Sequence, residues 1–222
     1  MAERAHSKAD QVYSAIKDSI LTGALEPGAP IDKTELCERL SVSRFPVSAA
    51  ISRLAFEHLV VVEPQHGSFV SRISVKDVRE RLFIRRALEG EIAAEAARRF
   101  DAPAREALSR NVNDAIAAAA KGDRSRFYAL DIEFHSILTS RLGLVRSGEL
   151  LDVQRVHLER VRRLLLSPPG RVEATIAEHK AVLEGVLSGD PERARRAMET
   201  HMSMFGAIVE NFSKTRPDLF SA

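Results

Sequence analysis

The chain has 222 residues, enough for one large or two small domains, and 45% of them are hydrophobic, enough to build a real core. Aromatic residues make up only 5% and tryptophan is absent, while alanine and leucine abound, a balance that suits packed helices better than a sheet sandwich. A net charge of +2 is too mild to indicate nucleic-acid binding by itself, so the placement of the charges must decide.

The first six residues are polar and expected to be loose. Ser7 is placed to cap a helix through about Thr22, with Val12, Ile16 and Ile20 on one face and Gly23 ending it. The segment Leu25–Ile31 reads as an extended connection, because Pro27 and Pro30 each bias the preceding residue away from helix. From Asp32 to Val70 a compact pattern follows. Leu36 and Leu40 mark the apolar side of a short helix that also carries Cys37, the only cysteine and an expected small core residue. With one cysteine no intramolecular disulfide can form, which fits a reducing cytoplasm. A turn, Ser41-Val42-Ser43, leads to a second helix with Val47, Ala50, Ile51 and Leu54 at helical spacing. Two strand-like runs, Leu59–Val62 and Ser68–Val70, flank a polar loop, Glu63-Pro64-Gln65-His66-Gly67. Helix, turn, helix and hairpin make a winged helix-turn-helix, whose second helix enters the DNA major groove.

Glu35-Leu36, Val42-Ser43-Arg44, Pro46-Val47, Ala50, Arg53-Leu54 and His66-Gly67-x-Phe69-Val70 resemble, in register, the DNA-binding domain of the GntR family of bacterial transcription regulators. Gly23, Leu25, Pro27 and Gly28 match a junction common in that family. Arg44 is the leading DNA contact, since it opens the second helix where base edges and phosphates come within reach. Ser41 and Ser43 can donate to phosphates, and Arg53 lies further along, where a surface ion pair would serve it equally. His66 and Gly67 form the wing tip, where glycine permits close backbone approach. Two positions depart from the family pattern: Ser48 stands where an arginine is usual after Pro-Val, and Thr34, beside Lys33, where a basic residue is common. The family's usual operator is therefore not carried over.

After Val70 the composition shifts. Ser71–Ser74 is a short linker, and Ser74 with Asp77 reads as a helix start. No strand pattern occurs from Val75 to about Phe212. Six helices are expected, at about 75–99, 103–121, 124–142, 147–166, 172–188 and 191–212. They are separated by Asp101 and Pro103, Gly122-Asp123, Gly143, Pro168-Pro169-Gly170 and Gly189-Asp190-Pro191. There is no signal peptide and no apolar run long enough to span a bilayer. The expected fold is thus mainly α. A winged helix-turn-helix occupies residues 1–71 and an all-α six-helix bundle residues 75–215.

Several polar residues fall in the middle of apolar stripes of this bundle. Asp131 and His135 share one face of the third bundle helix with Phe127, Leu138 and Leu142. His179 lies among Val172, Leu183 and Val186 of the fifth, and His201 among Ala194, Phe205, Ile208 and Phe212 of the last. Each alone reads as a hydrogen-bonded core residue. Together, one carboxylate and three imidazoles suit a divalent transition metal such as Zn²⁺, Ni²⁺ or Mn²⁺. Periodicity leaves both possibilities open. The bundle also resembles the FCD effector domain of the fatty-acid-regulator-like branch of GntR proteins. Many such domains hold a metal through Asp-x3-His on one helix and single histidines on two later ones. The resemblance implies that Asp131, His135, His179 and His201 are the ligands, zinc being the leading ion with nickel or manganese the alternatives. His157 also falls in an apolar stripe, with Leu150, Val153, Val161 and Leu164, and is expected to line the pocket or core. Arg85 and Glu89 interrupt the stripe Val78, Leu82, Ile92, Ala96 of the first bundle helix. Arg85 is suited either to grip an effector carboxylate or to pair with Glu89. The pairs Arg98-Arg99, Arg162-Arg163 and Arg195-Arg196 read as solvated faces.

The expected function is a ligand-responsive transcription regulator, a repressor in the manner usual for the family. It would act as a homodimer on double-stranded operator DNA, controlled by a small carboxylate effector that meets the metal and Arg85. The alternatives are a regulator that senses the metal itself and a metal-dependent hydrolase, against which stands the lack of any catalytic motif.

Overall fold

The structure is a computed structural model that describes residues 7–165 and 170–221, except for the side chains of residues 163–165. The polar start (residues 1–6), Pro168 and Pro169 of the expected helix break, and the side chains of Arg163 and Leu164 lie outside the described residues. Two compact units emerge. One comprises the chain to Val75 with Glu159–Leu164 and Phe212 onward; the other comprises Lys76–Leu158 and Leu165–Asn211.

In the first unit, α1 (Lys8–Thr22) starts with a capping box. The Ser7 hydroxyl accepts from the Asp10 amide, and Asp10 reaches back to Ser7. Its buried face, Val12, Tyr13, Ile16 and Ile20, packs on α3 (Arg44–Phe56), which buries Val47, Ala50, Ile51 and Leu54. Between them, α2 (Lys33–Arg39) is capped by Asp32, whose carboxylate accepts from the Thr34 and Glu35 amides. Leu36 is buried, but Cys37 is only partly so and is not the core residue its spacing suggested. The turn between α2 and α3 places Ser41 at φ 50°, in the left-handed region.

The hairpin strands β1 (Val60–Glu63) and β2 (Gly67–Val70) pair antiparallel, with Val60 opposite Val70 and Glu63 opposite Gly67. The ladder thus runs one residue further into the turn than hydrophobicity suggested, and Leu59 packs in the core just before it. The Leu25–Ile31 connection lies along β2: the Gly28 amide donates to Val70 and the Ile31 amide to Ser68, both at 2.8 Å. Past the wing, the Ser71 carbonyl accepts from the buried Arg160 guanidinium. Ile73 pairs in parallel with Phe220, which follows a 3-10 turn at Pro217–Leu219.

Apart from Val75, Glu159–Leu164 and the end of α9 from Phe212, which fall in the first, the second unit takes in the six helices α4 (Val75–Arg99), α5 (Ala102–Ala120), α6 (Arg124–Arg141), α7 (Val145–Leu165), α8 (Arg171–Leu187) and α9 (Pro191–Thr215). Aspartates start three of them. Asp101, Asp123 and Asp190 accept from the amides of Ala104, Arg126 and Arg193 at 2.9, 3.0 and 3.0 Å. No strand occurs among its described residues. Leu108, Phe134, Leu138, Val182, Val186 and Met198 form the centre of its core. The buried Asn111 of α5 donates to the Leu130 carbonyl at 3.0 Å, which ties α6 in place. On α7 the inner face differs from expectation. Leu150 and Val153 are 45% and 58% exposed, and Leu151, Gln154 and Leu158 are buried instead.

Gly185 of α8 sits against Ala194 of α9. A Cβ there would lie 2.6 Å from the Ala194 backbone, so the two helices meet at a distance only glycine allows. In an exposed helix Gly→Ala adds roughly 1 kcal/mol of stability. Here the sign reverses: Gly185→Ala is expected to lower unfolding free energy by about 2 kcal/mol, as overpacking does. Urea denaturation followed by circular dichroism measures it, and a stabilised variant would refute the close approach.

Candidate metal centre and nucleic-acid interface

The helical unit brings together the four residues that periodicity singled out. Asp131 and His135 project from one face of α6, four residues apart, and His179 and His201 come from α8 and α9. All four are buried. One ring nitrogen from each histidine lies within 4.8 Å of those of the other two. Asp131 Oδ1 stands 3.7 Å from His179 Nε2. Phe134 stacks on the His179 ring at 3.9 Å and 7° between planes, which fixes that ring's orientation.

Two carboxylates back the cluster. Glu178 Oε2 meets His201 Nδ1 at 2.6 Å, and Arg171 grips the same carboxylate through two N–H donors at 2.8 and 2.9 Å. Glu89 Oε2 closes on His135 Nδ1, while Arg85 Nε holds its other oxygen at 2.5 Å. A carboxylate at Nδ1 favours the tautomer with its proton there and leaves the Nε2 lone pair available. His135 Nε2 has no hydrogen-bond partner among the described residues.

The electrostatics agree. Burial pushes the His135 imidazolium pKa down to about 4 against the pull of Glu89, so the ring is neutral at physiological pH. Burial would raise the Glu89 carboxyl, but Arg85 and His135 overcome it and hold it well below the usual range. Burial likewise opposes ionisation of Glu178, and bonds from His201 and Arg171 lower it. A neutral imidazole backed by a carboxylate, as His135 is by Glu89, is the form in which a metal is bound. The residues present therefore fit a divalent transition metal, with a nitrogen-rich donor set suited to zinc or its neighbours.

Of the expected effector contacts, Arg85 and Glu89 are buried and paired with each other, and Glu89 stands behind His135. His157 is half-buried on α7, whose inner face is shifted from the expected stripe. The residue that this shift hid is Arg155. Burial lowers its pKa most, opposed by Asp152 and reinforced by Arg85, and Glu89 and Asp131 act on it as well. Its Nη1 reaches Asp152 at 3.0 Å, and its Nε has no hydrogen-bond partner among the described residues.

In the winged unit, Thr34, Ser41, Ser43, Arg44 and Ser48 are exposed, and so are His66 and Gly67 at the hairpin turn. Arg44 makes no hydrogen bond or ion pair among the described residues, and the Ser43 hydroxyl does not cap α3. Arg53 is engaged inside the protein. It lies 3.7 Å over the Tyr13 ring and pairs with Asp10 at 3.3 Å and Glu57 at 3.5 Å.

A winged helix-turn-helix together with a helical unit that buries a polar cluster describes a DNA-binding regulator. Residues 8–70 match the model of the bacterial regulatory proteins of the gntR family, and residues 80–204 match that of the FCD domain. The chain belongs to the GntR family of transcription regulators, in the group with an FCD domain. It is similar to the HTH-type transcriptional repressor RspR of Escherichia coli K12, at 28% identity over 95% of this chain and 92% of that one. It is also similar to an HTH-type transcriptional regulator of Streptomyces ambofaciens, at 32% identity over 95% and 88%. A solved GntR regulator from Rhodococcus sp. RHA1 shares the fold with a TM-score of 0.76, covering 93% of this chain and 99% of that one at 24% identity. Family and relatives are regulators and not enzymes, so the hydrolase alternative is set aside. Among the described residues no helix is long and apolar enough to cross a membrane.

The carboxylate behind His201 yields a specific expectation. Glu178→Gln should weaken zinc binding by about tenfold or more, the usual effect of losing a carboxylate behind a ligand histidine. Competition against a chromophoric chelator measures it, and unchanged affinity would show that Glu178 does not support the centre.

Proposed function

We propose that the protein is a ligand-responsive repressor, cytoplasmic and homodimeric, with a DNA-binding domain at 1–71 and an effector- and metal-binding domain at 75–215. Arg44 and Ser48 of α3 face the major groove. Thr34, Ser41, Ser43, His66 and Gly67 contact the backbone or minor groove around it. The repressor name of its Escherichia coli relative supports the sign of regulation. The observation that carries the sensing half is the buried cluster of Asp131, His135, His179 and His201 with Glu89 and Glu178 behind it.

These four residues would hold a divalent metal, zinc before nickel or manganese, which when bound supplies Lewis-acid attraction for a carboxylate oxygen. Arg85 and Arg155 add positive charge from α4 and α7, so a small organic acid fits the site's chemistry. His157 lies on the same helix, about 200° round it from Arg155. An effector that prefers one state of the bundle changes operator affinity by linkage, and by the same factor DNA changes effector affinity. A second reading, in which the metal alone is the signal, is favoured by the pairing of Arg85 with Glu89.

A thermal-shift screen of small organic acids on zinc-loaded and chelator-stripped protein tests both. Zinc at a hundred times its dissociation constant should add about 2.7 kcal/mol of stability, and His179→Ala should abolish the gain. An acid that stabilises only the loaded protein, and less so after Arg155→Gln, supports the effector site. Stabilisation by zinc with no further effect of any acid, together with zinc-dependent DNA binding, supports metal sensing. Indifference to zinc, nickel and manganese alike would overturn both.

A further inference from the structure

The outward side of α3 has an unusual composition. Its core side is Pro46, Val47, Ala50, Ile51 and Leu54. At about 100° per residue the opposite side carries Phe45, Ser48, Ala49, Ser52 and Phe56. This ridge holds no formal charge and, between its two phenyl rings, only small side chains. Arg44 borders it on one side, and Arg53 on the other is drawn back onto Tyr13, Asp10 and Glu57. Phe45 is the second residue of the helix and is 82% exposed, so its ring has almost no packing within the protein.

The N-terminal residues of the second helix are those that reach base edges in a helix-turn-helix. A phenyl ring there cannot donate to guanine or accept from adenine. What it can distinguish in the major groove is the 5-methyl group of thymine, the one apolar feature that a base pair shows there. Ser48, three residues on, is short enough to let the ring approach and offers no bidentate grip on guanine.

We propose that Phe45 is a specificity-determining residue that reads thymine through its methyl group, once in each half-site. This rests on the regulator function proposed above. Part of the operator preference is then a preference for a methylated pyrimidine edge, set beside the phosphate or base contact of Arg44.

The test uses the full chain. Duplexes are enriched from a random-sequence pool, and each thymine of the best binder is replaced in turn by deoxyuridine, which removes only the methyl. Fluorescence anisotropy at fixed salt gives the affinities. One thymine per half-site should lose roughly fourfold on this change, the value of one buried methyl-sized group. Phe45→Ala should bind more weakly and bind the thymine and uracil duplexes equally, and Phe45→Leu should keep part of the ratio. Because the ring is exposed, Phe45→Ala should melt as the parent does, which separates reading from folding. A flat uracil scan, or an unchanged ratio in Phe45→Ala, overturns the proposal while leaving the regulator function standing. Enrichment of no duplex at all would bring down both.

Discussion

Three imidazoles and a carboxylate share a few ångströms of buried helical core, a placement that depends on the carboxylates standing behind two of the rings. Without Glu89 and Glu178, the buried Nδ1 groups of His135 and His201 would have lost water and gained nothing, a penalty of roughly 1–3 kcal/mol each. With them, the Nδ1 of each of these two rings faces a carboxylate, and His135 Nε2 is left without a hydrogen-bond partner among the described residues. The carboxylates are in turn kept ionised by Arg85 and Arg171. The arrangement therefore extends as alternating charges from the cluster outward, through Glu89 to Arg85 and through Glu178 to Arg171. Every buried charge in these chains has a counter-charge in contact, the condition under which burial is tolerated.

The winged unit solves a different problem with the same means. Its recognition helix must present one side to a partner and pack the other against α1. The Tyr13, Lys17, Arg53 and Glu57 group does the packing at the edge: the Tyr13 hydroxyl and Lys17 both reach the Glu57 carboxylate, at 2.7 and 2.8 Å. That group consumes Arg53, so the positive charge left facing outward on α3 is that of Arg44 alone. The outward positive charge of α3 is thus concentrated at the start of the helix.

Much of this could be read from spacing. The helix-turn-helix, the hairpin and all six bundle helices follow from apolar periodicity and from Ser, Asp and Gly at the breaks. Asp131, His135, His179 and His201 stood out because each interrupts a stripe at its centre. What spacing could not supply was the pairing between elements distant in sequence. Glu89 lies on the same face as Arg85 and looked like its ion-pair partner or an effector contact; its approach to His135, across to α6, is a tertiary fact. On α7 the stripe was misread by one residue, because Leu150, Leu151, Val153 and Leu158 allow two phases. The true phase turns Gln154 inward, which apolar counting discounts, since its amide accepts from Arg81 at 3.0 Å. Phe45 escaped notice for the opposite reason: a phenylalanine in a helix reads as core until its exposure is seen.

The contact of Gly185 with Ala194 also bears on which motions the cluster permits. α8 and α9 are locked at their junction with no slack, six residues from His179 and seven from His201. These two histidines then behave as jaws on one rigid hinge, and their separation is a fixed gauge. Facing them stands α6, with Asp131 and His135 on it, held by the Asn111 bond to the Leu130 carbonyl. At the metal site proposed above, that junction would make the separation of His179 and His201 the least adjustable distance, and so the one against which a candidate ion is measured.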